Sequence, residues 1–418
     1  MRFAFPSCGS FAHGFLGCVA LGALLPGCAG DPGAGDEAGP AGPPPLELLA
    51  GNHSVLRRGA DVSGYCAARS GARTAVAKIE AQRLAVLTSD SPELEQASFS
   101  AAPEVSGYDG AIECALAPTA TGFATAWVSS SSEGLVRVQR LSADGSPEGE
   151  TIALGPSSFP RASLASDGER IYVGRLATTA EGTEVWVDAI EGADVTSQLV
   201  TACEQPTLPA LVTGPAGAGV FYACRGAEQV ELFGLLLGDD APVSLGTAPL
   251  AMGQMAVSAV SFEDSWLVQW IPPGTAVDTL PPLLELDPET LEGTEHASAE
   301  REALLGEEPW LVDLVVSGDT VFRQLGICTL ADAEMPGCHI ELCALNLMDE
   351  SQSCSKIEQG GTPGTLLGSE SGVSFLYFEQ GLDFGGDLYS LALDRNAAVA
   401  DKPRPITAPG PFAPLGVD

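Results

Sequence analysis

The chain has 418 residues, and 55 acidic against 19 basic side chains give it a formal net charge of −36 at pH 7. So acidic a surface repels phosphate backbones and anionic lipid headgroups, which excludes nucleic acid as a partner and leaves cationic partners and divalent metals. Hydrophobic residues make up 45% of the chain, enough for a packed core, and 49 glycines with 31 prolines favour many short strands joined by turns.

Residues 1–27 have the order of a secretory signal peptide. Arg2 supplies the positive start, Phe11 to Leu25 forms a mostly apolar stretch, and Pro26-Gly27 breaks it. The apolar stretch has 15 residues, whereas a membrane-spanning helix needs about 20. We therefore expect a cleaved signal rather than a permanent transmembrane anchor.

The segment Leu25-Pro26-Gly27-Cys28 resembles the lipobox of bacterial lipoproteins, with Leu three places before the cysteine and Gly immediately before it. The resemblance implies that Cys28 carries a lipid. An ordinary signal cut between Ala23 and Ala29 is the alternative. Ala29 is not the Asp that retains enteric lipoproteins at the inner membrane, so the resemblance implies the outer membrane, on its periplasmic or its surface side.

Residues 28–47 form the lipidated cysteine and a tether. The stretch from Ala29 to Pro45 consists almost entirely of Gly, Ala, Pro and acids, and such a composition cannot bury enough apolar surface to fold. A domain held away from a membrane needs a spacer of this kind. We therefore expect the folded domain to occupy residues 48–418.

That domain contains a loose repeat of short strands. The clearest copy runs from Gly122 to Leu154, with strands at Gly122–Trp127, Leu135–Leu141 and Glu150–Leu154 and a turn at Asp144-Gly145. Seven units, spaced by 46 to 55 residues, begin near Asp61, Asp109, Pro160, Pro206, Gln254, Glu308 and Pro363. This number and period predict a single seven-bladed β-propeller.

The composition of the central strands separates a propeller from a pair of sandwiches. Val220–Cys224, Ser265–Trp270 and Val373–Phe378 are apolar on both faces, as expected for blades covered by neighbours on both sides. The copies resemble the propeller repeats of bacterial envelope proteins over most of residues 61–409. Glu295 to Leu305 is an exception, because it fits either a short inserted helix or a solvated loop.

The mature domain has an even number of cysteines, which in an exported chain predicts disulfides. Their positions on the units favour four bridges, Cys203–Cys224, Cys328–Cys338, Cys343–Cys354 and Cys66–Cys114. A zinc site around Cys338-His339 and Cys343 is the alternative. The spacings oppose zinc, because no C-x-x-C pair is present.

No catalytic or metal site emerges from the sequence. There is no G-x-S-x-G motif, and His53, His296 and His339 lie in unrelated contexts. The remaining candidates have ordinary explanations: the acid pairs Asp239-Asp240 and Glu307-Glu308 as solvated loop acids, Asp383 to Asp387 as a loop with too few ligands for calcium, and Trp127, Trp186, Trp266, Trp270 and Trp310 as strand residues of the core. We expect no catalytic residue, metal or cofactor.

The sequence therefore favours an envelope lipoprotein whose propeller is a non-catalytic binding or scaffolding module for a protein or carbohydrate partner. The alternative is a propeller glycosidase or polysaccharide lyase whose acids come from several blades and leave no local motif. A purely structural spacer is a third class, marked by an apolar patch on one rim. Two or three acids converging at the channel mouth would favour the enzyme, whereas a mouth of Ser, Gly and Ala with scattered acids would favour the binder.

Overall fold

The computed structural model shows an all-β chain built from short antiparallel strands. It describes residues 62–405 apart from gaps at 81–82, 92–99, 106–107, 132, 181, 252–254, 274–281, 297–306, 330–337, 358–363, 370–371, 381–385, 395–396 and 398–403. No helix occurs within this described part of the chain, and none of its segments is a helix long and apolar enough to cross a membrane. The predicted signal peptide, Cys28 and the tether lie outside the described residues.

Within the residues that the structure describes, twenty-nine strands form seven sheets, and each sheet consists of strands that follow one another in the chain. Blade 1 contains β1 Val62–Ser70, β2 Arg73–Glu80, β3 Arg83–Ser89 and β4 Ser100–Ala101; blade 2 contains β5 Gly110–Pro118, β6 Gly122–Ser129, β7 Leu135–Ser142 and β8 Pro147–Pro156. Blade 3 contains β9 Ser163–Ser166, β10 Ile171–Thr178, β11 Thr183–Glu191 and β12 Asp194–Cys203; blade 4 contains β13 Gln205–Pro206, β14 Ala210–Gly214, β15 Gly217–Arg225, β16 Gln229–Leu236 and β17 Val243–Pro249.

The last three blades follow the same plan. Blade 5 contains β18 Ala256–Phe262, β19 Ser265–Ile271, β20 Leu283–Leu286 and β21 Gly293–His296; blade 6 contains β22 Glu307–Ser317, β23 Thr320–Thr329, β24 Cys338–Asn346 and β25 Gln352–Ile357. Blade 7 contains β26 Thr365–Ser369, β27 Gly372–Gln380, β28 Gly386–Leu393 and β29 Arg404–Pro405. The predicted seven-bladed propeller is thus confirmed, and the predicted unit starts fall within a few residues of the first strand of each blade.

Each blade interface has its own hydrophobic core. The described buried side chains fall into seven clusters, and each cluster draws its members from two adjacent blades. The middle strands supply both faces: all residues from Val220 to Cys224 are buried, as are those from Trp266 to Ile271. This double burial explains why these strands are apolar throughout instead of alternating.

Among the described strands, none is exchanged between the first and the last blade where the ring closes. The innermost strand of each blade contacts that of the next, and β26 of blade 7 contacts β1 of blade 1. The closing cluster is small, with Ala67, Val76 and Leu87 packed against Leu367 and Leu376. The Tyr65 hydroxyl supplements this small apolar contact by donating a hydrogen bond to the Leu376 carbonyl oxygen.

Two sequence expectations need correction in the fold. The possible helix over Glu295–Leu305 is wrong at its start, because Glu295 and His296 belong to β21 and pair with β20; the rest of that segment lies outside the described residues. The pair Glu307-Glu308 does not lie in a loop, because both residues begin β22 and pair with β23. In both places the sheet pairing of the blade outweighs local sequence pattern.

Candidate functional site

Four side chains from four blades meet at one level of the propeller axis. Tyr65 of β1, Glu113 of β5 and Arg161, just before β9, each lie five residues ahead of the last residue of an innermost strand, and Asp313 of β22 lies four residues ahead. Innermost strands run side by side around the axis, so a separation of four or five residues from the hairpin turn places all four at a similar depth. We call these four residues the axial cluster.

Glu113 and Arg161 form an ion pair between blades 2 and 3. The Arg161 Nε atom lies 3.4 Å from the Glu113 Oε2 atom, and the two side chains are 52% and 41% exposed. Both side chains therefore remain partly accessible from solvent, although the Glu113 Oε2 atom that faces Arg161 is itself buried. An exposed pair of this kind contributes little to stability, about 0 to 1 kcal/mol. Its more important role would therefore be the recognition of a ligand.

Asp313 joins blade 6 to blade 7 and is coupled to Arg161. Its Oδ1 accepts a hydrogen bond from the Leu314 backbone N–H and its Oδ2 one from the Leu366 N–H, both at 2.9 Å. Burial raises the pKa of Asp313 above its ordinary value, while these two hydrogen bonds and the charge of Arg161 oppose the rise. Arg161 thus acts on carboxylates from two blades, Glu113 of blade 2 and Asp313 of blade 6.

Tyr65 completes the cluster from the side of blade 1. Its hydroxyl donates a hydrogen bond of 2.8 Å to the carbonyl oxygen of Leu376 in blade 7. Burial raises the pKa of the Tyr65 phenol, and the negative charge of Asp313 adds to the rise. The phenol therefore stays protonated at neutral pH and serves as a hydrogen-bond donor, not as a base.

The remaining innermost strands contribute small side chains at this level. Counting four residues back from the ends of their innermost strands, as for Asp313, places Ala210 in blade 4, Ser258 in blade 5 and Thr365 in blade 7 at this level. The level thus combines two acids, one arginine and one tyrosine with small residues. This arrangement can bind polar groups of either charge. It lies between the two expectations, because it has the two acids expected of an enzyme and the small side chains expected of a binding module.

The cysteines form bridges in the structure. Disulfides join Cys66 to Cys114, Cys203 to Cys224 and Cys343 to Cys354, with Cα–Cα distances of 5.6, 6.2 and 4.0 Å. Cys328 lies directly opposite Cys338 in the register of β23 and β24, but the side chains of that predicted bridge lie outside the described ones. Cys66–Cys114 links the innermost strands of blades 1 and 2, as the sequence indicated.

The location of one bridge differs from the expectation. The sequence places Cys203 just before the first strand of the fourth unit, where a bridge to Cys224 would close a hairpin of that unit, but in the structure Cys203 pairs with Thr183 of β11 and ends the outermost strand of blade 3. Its partner Cys224 lies on β15 of blade 4. The bridge is consequently an interblade staple and does not close a hairpin within one unit.

Those of the other sequence candidates that the structure describes do not assemble into a second site. His296 pairs with Glu285 at 2.8 Å between Nε2 and Oε2, and Asp239-Asp240 are exposed turn acids. Trp127, Trp266 and Trp270 are buried between blades, as expected of core residues, whereas Trp186 on β11 is only half-buried. His53, the Asp383–Gly385 part of the possible calcium loop, and the side chains of Trp310 and His339 lie outside the described ones. Within the described part, no group of three or more His, Cys, Asp or Glu residues is placed to hold a metal ion.

Comparison with known proteins adds similarity in structure only. No protein-family model and no curated protein sequence matches the chain. The structure is similar to a putative 6-phosphogluconolactonase from Bacteroides fragilis, with a TM-score of 0.48 and 12% identity, over 77% of this chain and 92% of that one. It is also similar to Pyrococcus horikoshii acylaminoacyl peptidase, with a TM-score of 0.47 and 10% identity, over 83% of this chain and 52% of that one. The chain therefore spans about half the length of the peptidase.

Proposed function

We propose that this protein is a lipid-anchored binding module of the bacterial envelope. Its lipid is on Cys28, its tether runs to residue 47, and its propeller binds a protein or carbohydrate partner at the axial cluster without catalysis. The lipobox resemblance supports the anchoring, and so does the composition of the tether, which cannot fold. The outer membrane is the favoured location. The accessible Glu113–Arg161 pair supports the binding site.

One observation carries the non-catalytic character of the site: both carboxylates are already engaged. Glu113 pairs with Arg161, and each oxygen of Asp313 accepts a backbone hydrogen bond. A glycosidase needs one carboxyl group that presents a proton to the substrate and a second one that stays ionised. A proton on Asp313 would weaken one of the two backbone hydrogen bonds, because a protonated oxygen is a poorer acceptor, so the geometry favours the acceptor role over proton donation.

A propeller glycosidase or polysaccharide lyase remains the second candidate, and one observation favours it. Asp313 is a carboxyl group whose burial raises its pKa, and perturbed acids in the interior of a ring are typical of catalytic sites. If this candidate were correct, Asp313 would act as the acid and Glu113 would be the second carboxylate, contributed by blade 2 on the far side of the ring. Only the enzyme would release products from a polysaccharide, which distinguishes the two candidates.

The test is a charge exchange in the axial pair with a matched control elsewhere. Glu113→Arg combined with Arg161→Glu retains an ion pair but reverses the charges that a partner meets. The control exchanges Arg83 and Glu104, which lie 3.3 Å apart with 58% and 39% exposure, in blade 1 and the chain that follows it. Bait proteins would be crosslinked in solubilised envelope, and captured proteins and glycans identified by mass spectrometry.

We expect the wild type and the Arg83/Glu104 control to retain the same partner, and the axial exchange to lose it at unchanged thermal stability. Equal capture by both exchanged variants would contradict the axial site. Release of reducing ends or of unsaturated sugar products from envelope polysaccharide, abolished by Asp313→Asn, would replace the binding module with the enzyme.

A further inference from the structure

A groove separate from the axial cluster opens between blades 1 and 2, at the end of the ring that carries the β1–β2 and β7–β8 turns. Its volume is about 750 Å³, within the range of sites for small molecules. Hydroxyl groups dominate its lining, with contributions from Thr88, Ser89, Ser91, Ser100, Ser142 and Ser146. Among the lining residues that the structure describes, Ala143 is the one apolar residue.

The walls of the groove are fixed by close packing between the two blades. Gly145 has a φ of +83°, and a Cβ atom there would lie 2.9 Å from Val86 and 3.1 Å from Thr88. Only glycine therefore allows the β7–β8 turn to approach blade 1 so closely. The Thr88 hydroxyl donates a hydrogen bond of 3.2 Å to the Asp144 carbonyl oxygen, which ties the two walls together.

The wall of blade 1 presents a buried hydroxyl with unused donor capacity. Ser89 is 5% exposed, and its Oγ accepts a hydrogen bond of 3.2 Å from the Ser91 backbone N–H. The Ser89 O–H donates to no acceptor within the described part of the protein. A buried hydroxyl whose O–H has no acceptor destabilises the folded state unless a bound group or solvent accepts its hydrogen bond.

The groove also carries uncompensated negative charge. Arg73 forms an ion pair with Asp90, whereas Asp144 and Glu148 have no cationic partner among the described side chains. Hydrogen bonds from the Ser142 hydroxyl and the Ser146 backbone lower the pKa of Asp144. Asp144 is therefore ionised at neutral pH and available to a cationic group.

We propose that this groove binds a sugar that carries a protonated amine. Hydroxyl groups and carboxylates match the alternating donors and acceptors of a saccharide, and the unpaired carboxylates match an ammonium group. A peptide partner would call for apolar anchor pockets, which the lining does not supply. The site goes beyond the proposed function, because it lies away from the axial cluster and takes a defined class of ligand.

The experiment measures binding of the glucosamine trisaccharide by titration calorimetry on the mature chain, with the N-acetylated trisaccharide as the comparison. Loss of two exposed charge contacts should weaken binding by about three- to tenfold, so we expect this change for Asp144→Asn combined with Glu148→Gln. The matched control is Asp287→Asn with Glu289→Gln, because Asp287 occupies the corresponding β20–β21 turn and also accepts backbone hydrogen bonds. The control should change affinity by less than about twofold.

Three outcomes would overturn the proposal. Equal weakening by both double variants would show attraction to the general acidity of the protein and not to the groove. Equal affinity for the N-acetylated sugar would remove the role of the amine. Tetralysine binding tighter than the amino sugar, with the same loss in the groove variant, would assign the groove to a basic peptide. The exchanged Glu113/Arg161 protein should bind the amino sugar normally, which separates this test from that of the axial cluster.

Discussion

Removing the charge of Asp188 should destabilise the propeller far more than removing an exposed charge on the same strand. Arg175 and Asp188 are 5% and 0% exposed, and the Arg175 Nε lies 2.7 Å from the Asp188 Oδ2. Arg175 Nη1 also donates to the Pro156 carbonyl oxygen at 3.1 Å, so the pair connects blade 3 to blade 2. Space around the guanidinium is tight, because a Cβ on Gly155 would lie 2.6 Å from it.

The expected loss of folding stability follows from the arginine that stays buried without its partner. Asp188→Asn preserves volume but leaves a guanidinium that cannot lose its proton, and breaking a buried pair in this way costs about 3 to 5 kcal/mol. The matched control is Glu191→Gln on the same strand. Its partner Arg170 lies 2.8 Å away, with side chains 66% and 53% exposed, so the control should cost less than about 1 kcal/mol.

Urea denaturation of the two variants, with midpoints and slopes compared, measures this difference. The replacement of both partners by apolar residues, Arg175→Met with Asp188→Leu, should recover much of the loss, because it removes the unpaired charge. If Asp188→Asn and Glu191→Gln fell within about 1 kcal/mol of each other, the buried pair would not have the role assigned to it.

Three further predictions concern the bridges, acid stability and the anchor. Replacing both cysteines of the Cys66–Cys114 bridge, which spans 48 residues, should cost about 4 kcal/mol, against about 3 kcal/mol for the bridge that spans 11; urea midpoints that rank the other way would contradict the chain-entropy account. Burial opposes ionisation of Asp109, but hydrogen bonds from Ser129 and Trp127 and the charge of Arg137 outweigh it and lower its pKa below 3.8. Its contribution is therefore complete above about pH 4 and is lost as the pH falls through the folded pKa, so the stability gap between wild type and Asp109→Asn should narrow on acidification. Fatty-acid labelling should mark the wild type and not Cys28→Ala, and label retained on the variant would refute lipidation there.

The fold was accessible from sequence because each blade repeats the same burial. Strands such as Val220–Cys224 are covered on both faces and stay apolar along their length, while glycine and acidic turns separate them. Periodicity near fifty residues then fixes the number of blades. Local pattern was least reliable where sheet pairing decides the outcome, as at His296, whose side chain bonds Glu285 and whose backbone joins β20.

The axial cluster was not accessible by the same reasoning. Tyr65 and Asp313 are separated by almost the whole ring in sequence, so no local motif contains them. Only the closing of the ring brings blades 1, 2, 3 and 6 to one level. The four residues lie at similar distances from their hairpin turns, and this is a signal in the sequence. It becomes informative only after the strands have been aligned on those turns.

The axial cluster also helps to hold the ring shut. Blade 7 meets blade 1 through the smallest of the seven described hydrophobic clusters, and Tyr65 adds its hydrogen bond to the Leu376 carbonyl there. On the other side of blade 7, Asp313 accepts the Leu366 N–H. The last blade is therefore bonded to both neighbours by members of the same cluster. A partner that changed the interactions of Asp313 or Tyr65 would act on the closure of the ring as well as on its own affinity, because binding to the folded state and the stability of that state are thermodynamically linked.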